Sequence, residues 1–191
     1  MTIVLIRHAA TSANELGQMA VGTPGPSLSS AGREAAVSFR RRCRDQAQPD
    51  RLWVSPAARA RETATILFGD RSSVVRPELA EIAPGAWGSP GFAGGTQKHG
   101  CLMRRWETGS ELTIAPPGGE SGEEVVDRLR TVVHALSVIE DAERVVLVTH
   151  FGVIRMMVRA FVHEFGVDCS IPPGFPYLLQ SVTLRKGELV V

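Results

Sequence analysis

The sequence predicts an α/β protein, a three-layer α/β/α sandwich built on a mostly parallel central sheet, and three observations carry that expectation. Two unbroken apolar runs of strand length, Val4-Leu5-Ile6 and Val145-Val146-Leu147-Val148, lack the alternation of a half-exposed strand and suit strands covered on both faces. Between them, short apolar segments alternate with stretches of helical period, the order that crossover connections require. Both runs also break off two residues before a histidine, His8 and His150, and open parallel sheets place their ligands at the carboxyl ends of strands.

Length and composition narrow the class. At 191 residues, one domain spanning 1–191 is expected, with no linker and with enough chain to bury a sizeable core. The 21 basic and 20 acidic residues nearly cancel, so no overall field favours nucleic acid or an anionic membrane. The local cluster Arg40-Arg41-Arg42-Cys43-Arg44 reads as a solvated helix end complementing the dipole. Cys43, Cys101 and Cys169 are odd in number and without C-x-x-C spacing, which reads as free thiols in a reducing compartment. No signal-peptide pattern opens the sequence and no apolar run reaches the length of a membrane span, so a soluble, cytoplasmic protein is expected.

The first strand delivers Arg7 and His8 to a loop, predicted through Asn14 to Pro26, with Gly17, Gly22 and Gly25 permitting turns. Ser29 or Ser30 can cap a helix from Arg33 to about Arg44. Arg51-Leu52-Trp53-Val54 reads as the second strand, ending at Ser55-Pro56, which looks like an N-cap hydroxyl followed by proline at the first helical position. The helix that follows shows Ala60, Ala64, Leu67 and Phe68 on one face and puts Arg59 in its first turn, where the dipole disfavours a cation. Either helix terminus and Arg59 face a common anion, or Arg59 is simply exposed beside Arg61.

Val74-Val75-Arg76 is a candidate third strand. The tract from Pro84 to Gly119 is rich in Gly and Pro, with Trp87 near its start and room for a short helix around His99 to Trp106. Ser121-Gly122-Glu123-Glu124 has capping-box spacing, and its helix presents Val125, Leu129, Val132, Leu136 and Ile139 as a core stripe, with His134 left on the surface. After the strand at 145–148, a helix from Gly152 to about Phe165 has Val153, Met157, Ala160 and Phe161 on one side, and Met156 and Met157 read as core filler. Tyr177 to Leu184 and Leu189 to Val191 look like closing strands around a Lys186-Gly187 turn.

A histidine just past a strand is commonly only a turn residue, so the grouping matters more than either one. Two histidines and two arginines at one sheet edge can surround a tetrahedral dianion: arginine forks hold phosphate oxygens bidentately, and neutral imidazole can take up a phosphoryl group. A metal site is the competitor, but neither H-x-x-x-H nor a nearby carboxylate set is present, and two permanent cations beside His8 would repel a divalent ion. No P-loop motif occurs. No metal and no cofactor is expected.

At this point the chain resembles the histidine phosphatase superfamily, which includes the cofactor-dependent phosphoglycerate mutases. The resemblance rests on six segments in the same order: Arg7 to Asn14, Leu28 to Gly32, Ser55 to Ala64, Leu79-Ala80-Glu81, Gly118 to Ser121, and Val148 to Arg155. It implies a phosphoglycerate mutase-like fold. It also implies that His8 is the nucleophile, that Arg7, Arg59 and His150 enclose the phosphoryl group, that Asn14 adds a hydrogen bond, and that Glu81 is the general acid and then base.

The sequence departs from the family pattern at Ala9, Ala10 and Phe151, and in Trp87-Gly88-Ser89-Pro90 after the acid position. These changes bear on substrate identity more than on reaction type. The expected activity is hydrolysis of a small phosphomonoester through phosphohistidine, with Phe151, Trp87, Arg104 and Arg105 at the substrate entrance. Two alternatives remain. One is mutase-type phosphoryl transfer, favoured by Arg104-Arg105 as a carboxylate site; the other is a non-catalytic phosphate-binding or interaction protein, favoured by the departures. Sugar phosphates, phosphoglycerates, α-ribazole phosphate and protein phosphohistidine are all admissible substrates, and the chain is expected as a monomer or homodimer.

Overall fold

The computed structural model describes residues 2–42, 48–161 and 181–185. Five strands form one sheet: β1 (Thr2–Arg7), β2 (Arg51–Val54), β3 (Val74–Val75), β4 (Arg144–Thr149) and β5 (Ser181–Arg185), in the order β3-β2-β4-β1-β5. The first four run parallel, and β5 pairs antiparallel with β1 at the edge.

The apolar runs are covered on both faces, as their lack of alternation requires. Ile3, Leu5, Trp53, Val145 and Leu147 pack in one cluster with the helices α4 (Gly95–Glu107), α5 (Gly122–Ser137) and α6 (Phe151–Phe161). Ile6, Leu52, Val54, Val146 and Val148 pack in the other, beneath α2 (Ser30–Arg42) and α3 (Ala58–Phe68). The result is the three-layer sandwich. Leu147, fully buried in a central strand, illustrates what holds it: truncation to alanine there costs about 2–5 kcal/mol.

Local signals were read correctly in several places. Ser121 and Glu124 form the capping box at α5, with Glu124 N–H donating to Ser121 Oγ at 3.2 Å and Ser121 N–H donating to Glu124 Oε2 at 2.7 Å. The stripe Val125, Leu129, Val132 and Leu136 is buried, and His134 is exposed. Ser29 caps α2, its Oγ accepting from Gly32 N–H at 3.0 Å.

Other expectations change. The region after His8 is not all loop, because Thr11 caps a short helix, α1 (Ser12–Glu15). Helix α4 is longer than the sequence suggests and begins at Gly95, behind a left-handed Gly94. Residues 162–165, the stretch 177–180 and the closing strand expected at Leu189 to Val191 lie outside the described residues, as do Cys43 and Cys169; Cys101 is a free, exposed thiol. No helix among the described residues is long and apolar enough to cross a membrane.

Candidate active site

Strand register performs the first step of assembly. Ile6 stands beside Val148 in β4, and Val54 flanks Val148 from the other side. The ladder continues one residue past each strand: His8 N–H donates to Thr149 C=O and Ser55 N–H to Val148 C=O, both at 2.9 Å. Ser55, His150 and His8 therefore leave three adjacent strands side by side. The two imidazoles meet edge to face, with ring centroids 5.1 Å apart.

His8 is locked in one tautomer. Its Nδ1 lies 2.7 Å from the Ala9 carbonyl, an acceptor only, so Nδ1 carries the hydrogen and Nε2 keeps its lone pair. Arg59 Nε donates to that lone pair at 3.3 Å. Burial, followed by the charges of Arg59 and Arg7, lowers the His8 pKa to about 3, so the ring is neutral at physiological pH. The Ala9 peptide is itself held, because its N–H donates to Thr63 Oγ1 at 3.0 Å and that hydroxyl donates to Arg59 C=O at 2.7 Å. A second helix of the same layer also docks on this loop. An added Cβ at Gly32 would stand 2.1 Å from Ala10 O, so only glycine lets the start of α2 approach so closely.

His150 is fully buried. Its Nε2 pairs with Ser55 Oγ at 2.7 Å, while its Nδ1 is buried with no hydrogen-bond partner among the described residues. Burial, then the neighbouring His8 and Arg59, hold its pKa well below the ordinary histidine value. Ser55 is thus not the helix cap that Ser-Pro suggested. The N-cap of α3 is Ala57; the Ser55 hydroxyl accepts from Ala57 N–H at 3.2 Å and also pairs with His150 beyond the next strand. Ser55 and Thr63 are positioning residues that sequence reasoning missed; both contacts are long in sequence and set by register.

Arg59 is only 1% exposed, which excludes the reading that placed it on the surface beside Arg61. Its partners are the His8 ring and the Gly22 carbonyl, the latter at 3.4 Å, rather than a carboxylate. A buried guanidinium held this way is costly unless an anion completes the site. Arg7 ends β1 with its guanidinium 5.3 Å from the centroid of the Phe151 ring, and Arg155 lies 5.1 Å from the same ring. Phe151 is therefore a shelf between two cations. Asn14 accepts at Oδ1 from Thr11 N–H at 3.1 Å and from Thr11 Oγ1 at 3.0 Å, which leaves its NH2 group as the donor for an incoming oxygen.

Glu81 reaches the same cavity from the segment after a 3-10 turn at Pro77–Leu79. Thr149 Oγ1 ties that turn to the end of β4 by donating to Leu79 C=O at 2.7 Å, and Glu81 Oε1 accepts from Ile82 N–H at 3.0 Å. Gly152 makes the space: a Cβ there would stand 2.7 Å from Glu81 Oε1. The cavity has a volume of about 530 Å³ and is lined by Arg7, His8, Asn14, Glu81 and Phe151 from the sequence-predicted set.

Three entrance residues expected from the sequence are not part of its lining. Trp87 packs half-buried against the core of the α4–α6 face. Arg104 and Arg105 are exposed on α4, where Arg104 bonds Cys101 Sγ and Arg105 pairs with Glu111 at 2.6 Å. The helical period explains the two arginines, which fall off the face of α4 that looks into the cavity; Trp87 lies before that helix, in the 3-10 turn Gly85–Gly88.

Fold and site together define an α/β protein with two buried imidazoles and a buried guanidinium gathered at the carboxyl edge of its parallel strands. The chain belongs to the histidine phosphatase superfamily (branch 1), whose profile matches residues 3–179. It is 27% identical over 156 residues to a metal-independent phosphoserine phosphatase of Arabidopsis thaliana, covering 80% of this chain and 65% of that protein. It is also 31% identical over 148 residues to a bifunctional protein of Mycobacterium tuberculosis, covering 76% of this chain but 36% of the relative. The chain thus spans less than two thirds of these curated relatives. Among solved structures, a mycobacterial glucosyl-3-phosphoglycerate phosphatase in complex with VO3 superposes with a TM-score of 0.69 at 28% identity, covering 87% of this chain and 82% of that one. The α-ribazole phosphatase of Shigella flexneri superposes at 0.65 with 27% identity, covering 81% and 76%.

Proposed function

We propose that this chain is a phosphomonoester hydrolase acting through a phosphohistidine on a small phosphorylated metabolite, without metal or cofactor. The observation that carries the reading is the paired state of the two rings. His8 Nδ1 is committed to the Ala9 carbonyl, so Nε2 is the nucleophile, and His150 Nδ1 is buried and unpartnered beside it. An unsatisfied buried nitrogen costs about 1–3 kcal/mol, a cost that a bound phosphoryl oxygen would remove.

In the first half-reaction His8 Nε2 attacks phosphorus and the bond to the alcohol oxygen breaks. Glu81, in its protonated form, gives that oxygen its proton, and the alcohol leaves. Arg7 and Arg59 match the charge that develops on the equatorial oxygens, with the Asn14 amide as a further donor. In the second half-reaction the Glu81 carboxylate takes a proton from water, the hydroxide oxygen bonds to phosphorus, and the P–N bond breaks. Inorganic phosphate departs, His8 regains its lone pair, and Glu81 is protonated again.

The phosphatases among the relatives act, by their names, on phosphoserine, α-ribazole phosphate and glucosyl-3-phosphoglycerate, which supports a small-molecule substrate here. We further infer one domain over 1–191 that works in the cytoplasm as a monomer or homodimer, with no nucleic-acid or membrane partner. The test is turnover of p-nitrophenyl phosphate by wild type and by His8→Ala. Wild type is expected to hydrolyse it, with inhibition by vanadate, and the variant to lose roughly 10⁴-fold or more. Equal inertness of both proteins, with phosphate still bound, would transfer the reading to a binding protein.

A further inference from the structure

The wall of the cavity facing the strand edge is one face of α4. Thr96, His99, Gly100 and Met103, at positions i, i+3, i+4 and i+7, all line it. His99 stands out in this row, because it is 8% exposed and its Nε2 is buried with no hydrogen-bond partner among the described residues. Nothing in the hydrolytic steps uses it. Met19, Val21, Ile82 and Met103 surround the same space together with the polar Gln18, Thr23 and Thr96, and within the α4 row His99 is the residue whose buried nitrogen has no partner among the described residues. A buried polar atom left unpaired in such a wall points to a ligand that completes it.

The phosphoryl end of the cavity is fixed by His8 and Arg7, so what reaches α4 is the alcohol half of the substrate. Burial keeps the His99 pKa below the ordinary histidine value, although the charge of Glu81 works against it, and the ring is a neutral hydrogen-bonding group. Glu81 and Glu120 line the same cavity, and Glu120 is paired with Arg128 at 2.7 Å. A hydroxyl suits this setting, since it can donate or accept to match either tautomer.

We propose that His99 is a specificity residue that hydrogen-bonds a hydroxyl on the leaving alcohol, so that the preferred substrates are phosphate monoesters of hydroxylated alcohols. The proposal rests on the phosphatase reading and adds the substrate class. Its test compares matched esters at two lengths, glycerol 3-phosphate against propyl phosphate and sorbitol 6-phosphate against hexyl phosphate, in wild type, His99→Leu and His99→Gln. The quantity read is the ratio of kcat/KM within each pair.

Wild type is expected to favour the hydroxylated ester in at least one pair by roughly tenfold or more. His99→Leu is expected to abolish that ratio and His99→Gln to restore part of it. A merely structural role would lower both members of a pair alike and leave the ratio unmoved. That result, or a wild-type ratio near one in both pairs, overturns the proposal. Hydrolysis of p-nitrophenyl phosphate that depends on His8 keeps the two readings separate. If wild type hydrolyses nothing, the phosphatase reading falls, and the same ratios, taken from calorimetric dissociation constants, still decide the role of His99.

Discussion

The two walls of the cavity are built by different physics. The strand-edge wall presents His8, held by parallel register beside His150 and Ser55, and a chain of bonds fixes it: His8 Nδ1 to Ala9, Ala9 N–H to Thr63, His150 Nε2 to Ser55, with His150 Nδ1 left without a partner among the described residues. The α4 wall is set by a helical period inside a Gly-rich tract, and its buried imidazole, His99, has an Nε2 without a partner among the described residues. The first wall is preorganised for a single anion; the second offers shape and one adaptable contact. Reaction type is thus written into the sheet, and substrate choice into the helix. Substitutions on the two walls should therefore separate, with losses on every substrate for the first and changes in preference for the second.

The largest such effect after loss of the nucleophile belongs to the proton donor. Glu81→Ala is expected to reduce turnover of alkyl phosphates by roughly 10²–10⁴-fold, and far less for p-nitrophenyl phosphate, whose leaving group needs no proton. Gly152→Ala should reproduce part of that pattern, since its Cβ would stand 2.7 Å from Glu81 Oε1. Steady-state kinetics on both substrate types check this; equal losses on the two would separate Glu81 from proton transfer.

Ser55→Ala sharpens the comparison at smaller scale. It leaves His150 Nε2 buried without its partner, a cost of about 1–3 kcal/mol. A general loss of roughly tenfold is expected on every substrate, with vanadate affinity falling alongside. A change confined to some substrates would place Ser55 with the other wall.

Stability against pH reads the two rings together. The folded pKa of His8 lies near 3 and that of His150 is also depressed, against 6.5 for both when unfolded. Below pH 6.5 the unfolded chain binds protons that the native one refuses, so stability present above that pH is lost as pH falls towards 3. Each ring contributes a slope of up to about 1.4 kcal/mol per pH unit. Urea unfolding from pH 7.5 to 4.5 should show this, and His8→Ala should make the slope shallower by one proton.

Legibility in the sequence followed the same division. His8, Arg7 and His150 could be read because buried strands are apolar without interruption, so the residue where the run stops marks the sheet edge. Arg59 stood out because a cation in a first helical turn contradicts the dipole. The family pattern added Asn14 and Glu81, and both line the cavity. Ser55 was only half legible: its hydroxyl accepts from Ala57 N–H at the start of α3, as Ser-Pro suggests, but its second partner, His150, lies 95 residues away. Arg104 and Arg105 were misplaced and His99 passed over because α4 lies in a tract where Gly and Pro hide the helical period, while Trp87, in the 3-10 turn Gly85–Gly88 before that helix, packs against the core. Which face of a helix looks into a cavity depends on tertiary packing that no local window contains.

The most direct test of the account is the position of the phosphoryl group on His8. Rapid quench of a turning-over phosphomonoester, followed by ³¹P–¹⁵N correlation on the base-stable, acid-labile phosphoenzyme, reads which ring nitrogen is bonded to phosphorus. Phosphorus on Nε2 is the predicted result, because the Ala9 carbonyl holds the proton on Nδ1. Phosphorus on Nδ1, or turnover with no phosphoenzyme formed at all, would contradict it.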